Sequence, residues 1–166
     1  MLRALLIASV IGLTPADLSE PDRILIERGA HCGVDPWLGF ELLQVEELAG
    51  VDTRGMLIAK ACFESKGNPR AIGDAGKAVG LLQLWPWAEK TTDRTHPIGS
   101  AYAFVGAILN GMRRTKRHCP RARDLFKLSW IRVNRGPFWR REDRRGEPRC
   151  SGVSPAGLKV LRRWRR

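Results

Sequence analysis

The sequence predicts a mainly α-helical fold with a small loop or β segment after a central buried helix. Three observations carry this expectation. Cap-and-proline signals recur at Ser19 and Asp35, the stretch from Met56 to Phe63 is apolar nearly all round, and glycines punctuate residues 67–80. A helix without a broad polar face belongs at the centre of a domain. With 166 residues, 43% hydrophobic and 28% charged, the chain suffices for one domain around one core and is too apolar for a disordered segment.

Taken in order, Met1-Leu2-Arg3 is a short cationic start, followed by the uncharged stretch Ala4–Leu13 and small residues at Thr14 and Ala16. That is the pattern of a secretory signal peptide over residues 1–16, and it is too short for a membrane span. An ordinary apolar first helix is the alternative. Residues 17–166 then form the domain, with a basic C-terminal extension from about 138. Ser19 caps a first helix whose opening turn holds Pro21 and Asp22, running to about Ala30 and ending near Gly33. Asp35-Pro36 starts a second helix through Leu48, closed by Gly50. Asp52 is placed as the cap of the third, central helix.

Asn68-Pro69 ends that helix, because the residue before proline avoids helical dihedrals. Gly67, Gly73, Gly76 and Gly80 make the next stretch an irregular loop or short two-stranded ribbon. Helices resume at about Pro86–Thr92, Ser100–Arg114 and Ala122–Val133. Residues 134–154 read as irregular and basic, and Pro155 opens a last helix carrying Leu158, Val160, Leu161 and Trp164 inward.

The formal net charge is +12, with runs such as Arg113-Arg114, Arg140-Arg141 and Arg165-Arg166. Such a balance favours polyanionic partners, among them carboxylate- and phosphate-bearing wall polymers; a merely solubilising surface is the alternative. The four cysteines, Cys32, Cys62, Cys119 and Cys150, allow three disulfide connectivities in an exported chain. Cys119–Cys150, which closes the most arginine-rich loop, together with Cys32–Cys62 is the one favoured. The cysteine and histidine spacings match no compact zinc site, so neither metal nor cofactor is expected.

Chemistry concentrates at Glu64. Six of the seven residues before it are apolar, placing a lone carboxyl where a buried helix meets a loop. Burial and the negative end of the helix dipole both disfavour the charged form there, which suits a general acid. A solvated helix-end glutamate is the commoner fate of such a residue.

Glu64-Ser65, Asn68-Pro69, Ala71, Gly76, Ala78 and Gly80-Leu81-Leu82-Gln83-Leu84 with Pro86 stand in the order of a known motif. In these residues the chain resembles the lytic transglycosylases of the SLT type, in the lysozyme-like superfamily. The resemblance spans about residues 34–137 and implies a lysozyme-like domain. It also implies cleavage of the MurNAc–GlcNAc β-1,4 bond of peptidoglycan, with the muramyl 6-hydroxyl attacking to leave 1,6-anhydro ends. Glu64 would be the single acid and then base. Ser65 would orient it or a substrate amide, and Gln83 would bond the sugar or its N-acetyl group. Asn134, in Ile131-Arg132-Val133-Asn134-Arg135-Gly136, matches a second cleft position.

Several positions depart from the family pattern. Gly67 stands where an aromatic residue is usual, Gly73 replaces a customary Ser, and the turn through Gly76-Lys77-Ala78-Val79 is one residue longer. Val133 stands where the family carries Tyr. Gln83 can also be read as a loop-bracing amide, since buried polar groups need partners. Trp85 and Trp87 flank Pro86, and Trp85 is taken as a sugar-stacking candidate, against the more usual place of tryptophan in a core.

Most glycoside hydrolases pair two carboxylates, and Asp74, Glu89 and Asp93 are the candidates for a second. A goose-type-lysozyme-like hydrolase therefore stays open beside the single-acid reaction, as does a non-catalytic cationic wall-binding module. The protein is expected to be exported, periplasmic or extracellular, with peptidoglycan strands and anionic wall polymers as its partners. Neither nucleic acid nor a stable membrane span is expected.

Overall fold

A computed structural model describes residues 17–50 and 54–118. Among them are four α-helices: α1 (Glu20–His31), α2 (Pro36–Leu48), α3 (Met56–Ser65) and α4 (Pro97–His118). Between α3 and α4 lies an antiparallel ribbon, β1 (Ile72–Gly73) with β2 (Ala78–Val79), in the register Ile72↔Val79 and Gly73↔Ala78. Two 3-10 turns, Asp74–Gly76 and Pro86–Lys90, complete the connection. The chain is thus mainly α with a small β segment after the central helix. No described helix is long and apolar enough to cross a membrane.

The predicted caps form. Ser19 Oγ accepts from Asp22 N at 3.3 Å and Asp35 Oδ1 from Leu38 N at 3.1 Å, with Pro21 and Pro36 in the first turns, where their missing N–H has no intrahelical acceptor. Two boundaries differ from expectation. Residues 86–90 make a 3-10 turn rather than an α-helix, with no side-chain cap at its start. The following helix begins earlier, at Pro97, and runs to His118; His96 caps it, its Nδ1 accepting from Gly99 N at 3.0 Å.

The start of α3 is the larger correction. Its N-cap is Gly55, with φ of +81° and no capping side chain of its own. The amides are instead met from α2. Glu46, fully buried, accepts from Gly55 N and Leu57 N, each at 2.6 Å. Asp52, the predicted cap, lies outside the described residues. So do the signal-peptide segment 1–16, the Cys119–Cys150 pair, Asn134, and the helices expected at Ala122–Val133 and after Pro155.

The core forms around α3, as its largely apolar sequence requires. Met56, Leu57, Ile58 and Ala61 are buried against Leu42, Leu43 and Val45 of α2, Phe104, Val105 and Ile108 of α4, and Leu81, Leu82 and Leu84 of the loop. Each fully buried side chain of this size contributes roughly 1.5–3 kcal/mol. Polar ties set the register of the helices. Arg54 donates to both carboxylate oxygens of Asp22 (2.7 and 2.8 Å), to Leu43 O (2.8 Å) and to Glu47 (3.1 Å). Those bonds join α1, α2 and the turn into α3, and the Arg54 guanidinium holds the Asp22 carboxyl below its ordinary value.

At the other end of α3, Cys32 and Cys62 form the expected disulfide. Beside it two backbones meet: a Cβ on Gly67 would lie 2.1 Å from Gly33 O, and one on Gly33 2.5 Å from Lys66 O. Both glycines also have positive φ. That contact requires glycine at position 67, since no side chain fits against the Gly33 turn.

Burial pushes the Glu46 carboxyl up to about 7, although the Leu57 and Gly55 amides pull the other way. It therefore holds its proton more tightly in the folded protein than in the unfolded chain. Its stabilisation is full below the ordinary value of 4.5 and is lost as pH rises through about 7. The span corresponds to roughly 3 kcal/mol. The thermal midpoint should fall between pH 4.5 and 8, and Glu46→Gln should remove that fall; calorimetry across this window checks it, and an unchanged pH slope in the variant would contradict it.

Candidate active site

Glu64 lies one residue before the end of α3. Lys66 and Gly67 then take left-handed dihedrals (φ 55° and 78°), and Gly67 N closes the end by donating to Ala61 O at 3.3 Å. The carboxyl does not face an apolar wall alone. Its Oε1 accepts from Lys60 Nζ at 2.8 Å, one helical turn earlier. The Lys60 side chain is only 4% exposed and that of Glu64 26%, so the pair is buried at the lysine and open at the acid. Lys60 Nζ also sits 4.8 Å from the centre of the Phe104 ring of α4. Burial pushes the Lys60 ammonium below its ordinary value, and Glu64 beside it works in the opposite direction.

Ser65 is buried and its Oγ donates to Ala61 O at 3.0 Å. Its proton is committed to the helix, so the structure gives it a structural bond and not one to Glu64.

The turn after α3 carries the chain back into the ribbon. Gly80 N donates to Ala71 O at 2.8 Å, laying the Gly-Leu-Leu-Gln loop over the turn that follows Glu64. Gln83, at φ 49°, donates from Nε2 to Ala71 O and Gly80 O, each at 2.9 Å. Both amide protons therefore brace the loop, the alternative that its residue type left open. A Cβ on Gly73 would lie 2.4 Å from Gln83 Oε1, so a larger residue there would displace the end of the Gln83 side chain.

Arg94 locks this arrangement, a role the sequence reading missed. It donates to Lys77 O (2.6 Å) and Leu84 O (2.8 Å) and pairs with Glu89. Its own carbonyl lies where a Cβ on Gly80 would come within 1.9 Å, so Gly80 is required by contact as well as by its φ of +85°.

The candidate second acids separate. Glu89 is the ion partner of Arg94. Asp93 Oδ1 accepts from Thr95 N and Oγ1 at 2.8 and 2.7 Å, a turn cap whose bonds hold its carboxyl below the usual range. Asp74 is exposed at the ribbon tip, where it, Ala75 and Gly76 all have positive φ. Trp85 is half-buried with Lys77 Nζ 5.9 Å from its ring centre, whereas Trp87 is exposed.

A groove of about 280 Å³ lies between α1 and α3, lined by Leu25, Ile58, Phe63 and the disulfide cysteines. Helical spacing puts Ile58, Ala59 and Cys62 on the face of α3 opposite Lys60 and Glu64, so this groove is separate from the acid. Among the described residues no His, Cys, Asp or Glu cluster could hold a metal ion.

Comparison with protein-family models, with curated proteins and with solved structures finds no match for the chain. The site is therefore defined by its own geometry: a half-open acid at the exit of a buried helix, followed in the chain by a glycine-rich loop clamped by arginine.

Removing the clamp should loosen the loop without melting the helices. Arg94→Met should speed hydrogen exchange of the bonded amides of Val79 and Leu84 by at least about tenfold, leaving α2 and α3 unchanged. Equal exchange rates in both proteins would show that Arg94 does not hold the ribbon.

Proposed function

We propose that the protein is a peptidoglycan-cleaving enzyme of the SLT lytic-transglycosylase kind, with Glu64 as its single general acid and then base. The observation that carries this reading is the pairing of a half-exposed carboxyl at the end of the buried helix with a Gly-Leu-Leu-Gln loop folded back by the Gly80–Ala71 bond. In this reaction Glu64 protonates the leaving glycosidic oxygen and then takes the proton of the muramyl 6-hydroxyl as that oxygen attacks the anomeric carbon. No water enters the product. Gln83 supports the reaction by holding the loop in shape, and Trp85 offers a ring face beside it. The disulfide and the pattern of residues 1–16 support action in an oxidising, exported setting. The +12 charge favours an anionic wall polymer.

A second reading has one observation in its favour. Of the three further acids, Asp74 is left after Glu89 pairs with Arg94 and Asp93 caps Thr95. A hydrolase that activates water from the ribbon tip would use it.

Glu64→Gln keeps the shape of the side chain and removes its acid chemistry. It should lower release of soluble fragments from purified peptidoglycan by about 10²–10⁴-fold, with the far-ultraviolet dichroism of the wild type. Wild-type turnover in this variant would overturn the assignment of Glu64 as the acid, whereas a wild type that binds peptidoglycan in a salt-sensitive way but releases no fragments would leave only a wall-binding role.

A further inference from the structure

The pair formed by Lys60 and Glu64 is unusual for a catalytic end of a helix. A general acid must carry a proton when substrate arrives, yet Glu64 Oε1 lies 2.8 Å from a buried ammonium. The lysine side chain is 4% exposed and lies over the Phe104 ring, while Glu64 forms the open side of the pair. A polymer strand lying over Glu64 would cover that side and remove water from it. Taking an ion pair out of water is expensive, and the neutral amine–acid pair, reached by moving one proton over a short hydrogen bond, escapes most of that penalty.

Resting on the reading of Glu64 as the acid, we propose that Lys60 is its proton store: in the covered site the Lys60 ammonium passes a proton to Glu64 Oε1, giving a neutral amine and the carboxylic acid that protonates the glycosidic oxygen. The balance closes without a co-reactant. One N–H bond breaks as one O–H bond forms. Glu64 then gives that proton to the leaving oxygen and regains one from the attacking 6-hydroxyl. When product leaves and water returns, the proton moves back to Nζ. Lys60 touches neither sugar nor reacting atoms in this scheme and acts through Glu64.

Several charged groups on the packed helices have partners of their own. From α1, Asp22 is held by Arg54 and Arg28 borders the groove on the opposite face of α3. From α2, Glu46 caps Gly55 and Leu57 at the other end of α3, and Glu41 is bonded by Trp37. From α4 it is the Phe104 ring that meets Lys60. Burial, which already weakens the hold of Lys60 on its proton, acts in the direction the transfer needs.

The test compares pH–rate profiles of peptidoglycan solubilisation by wild type, Lys60→Arg, Lys60→Met and Glu64→Gln, each checked for folding by dichroism. Arginine keeps the charge and the ion pair but cannot release a proton. The proton-store role predicts that Lys60→Arg is slowed by at least about tenfold at neutral pH. In Lys60→Met, where the acid titrates alone, the alkaline limb should move to lower pH. Should Lys60→Arg fail to fold, the direction of the Lys60→Met limb decides. A lysine that only anchors the carboxylate predicts the opposite pattern: rescue by arginine, and an alkaline limb in Lys60→Met that stays in place or moves up. Either of these, with Glu64→Gln inactive, overturns the proton store alone. An inert wild type or a fully active Glu64→Gln overturns the reading of Glu64, and the proton store with it.

Discussion

Everything in this fold depends on how the two ends of α3 are held. The helix is apolar enough to be buried at the centre, and a buried helix must still satisfy the amides and carbonyls at its ends. Glu46 answers for the first end, reaching over from α2 to Gly55 and Leu57. The second end closes through Gly67 onto Ala61, beside the Cys32–Cys62 bridge and the Gly33–Gly67 backbone contact. With both ends fixed, the axial position of Glu64 is fixed too.

The same constraint shapes the loop. Because α3 stops at a left-handed turn rather than fraying, the chain re-enters the fold at a defined angle, and the ribbon pairs with a fixed register. Arg94 then ties the carbonyl of Lys77 to that of Leu84, which Val79 N already meets across an antiparallel bridge, with charge-assisted bonds that hold the ribbon to the loop. The polar parts of the site are therefore of two kinds. Gln83, Ser65 and Arg94 build the frame, and Lys60 with Glu64 form a charged pair at its open edge.

Much of the fold was legible because its signals are local. Ser19-Glu20-Pro21 and Asp35-Pro36 carry cap and proline together, and Met56–Phe63 announces burial by lacking a polar face. What was illegible is what depends on distant residues. Asp52 was the natural local cap for α3, but the bonds come from Glu46, nine residues before Gly55 in the chain and brought there only by packing. Lys60 is the one charged residue among the apolar neighbours before Glu64, and its spacing to Glu64 is that of an ion pair on a helix; a pattern read for its apolar residues passes over it. Arg94 has no motif around it, and only the folded ribbon shows its targets. Gly67 is illegible in the same way: only the folded chain shows the Gly33 backbone lying where its Cβ would be.

The central claim is that one carboxyl, with no second acid, breaks the glycosidic bond by passing a proton out and back. Mass spectrometry of the muropeptides released from purified peptidoglycan tests it directly. The account predicts 1,6-anhydro-muramyl ends, which lack the mass of one water relative to reducing ends. Reducing ends throughout would contradict it and give Asp74 or a free water the role assigned here to the 6-hydroxyl.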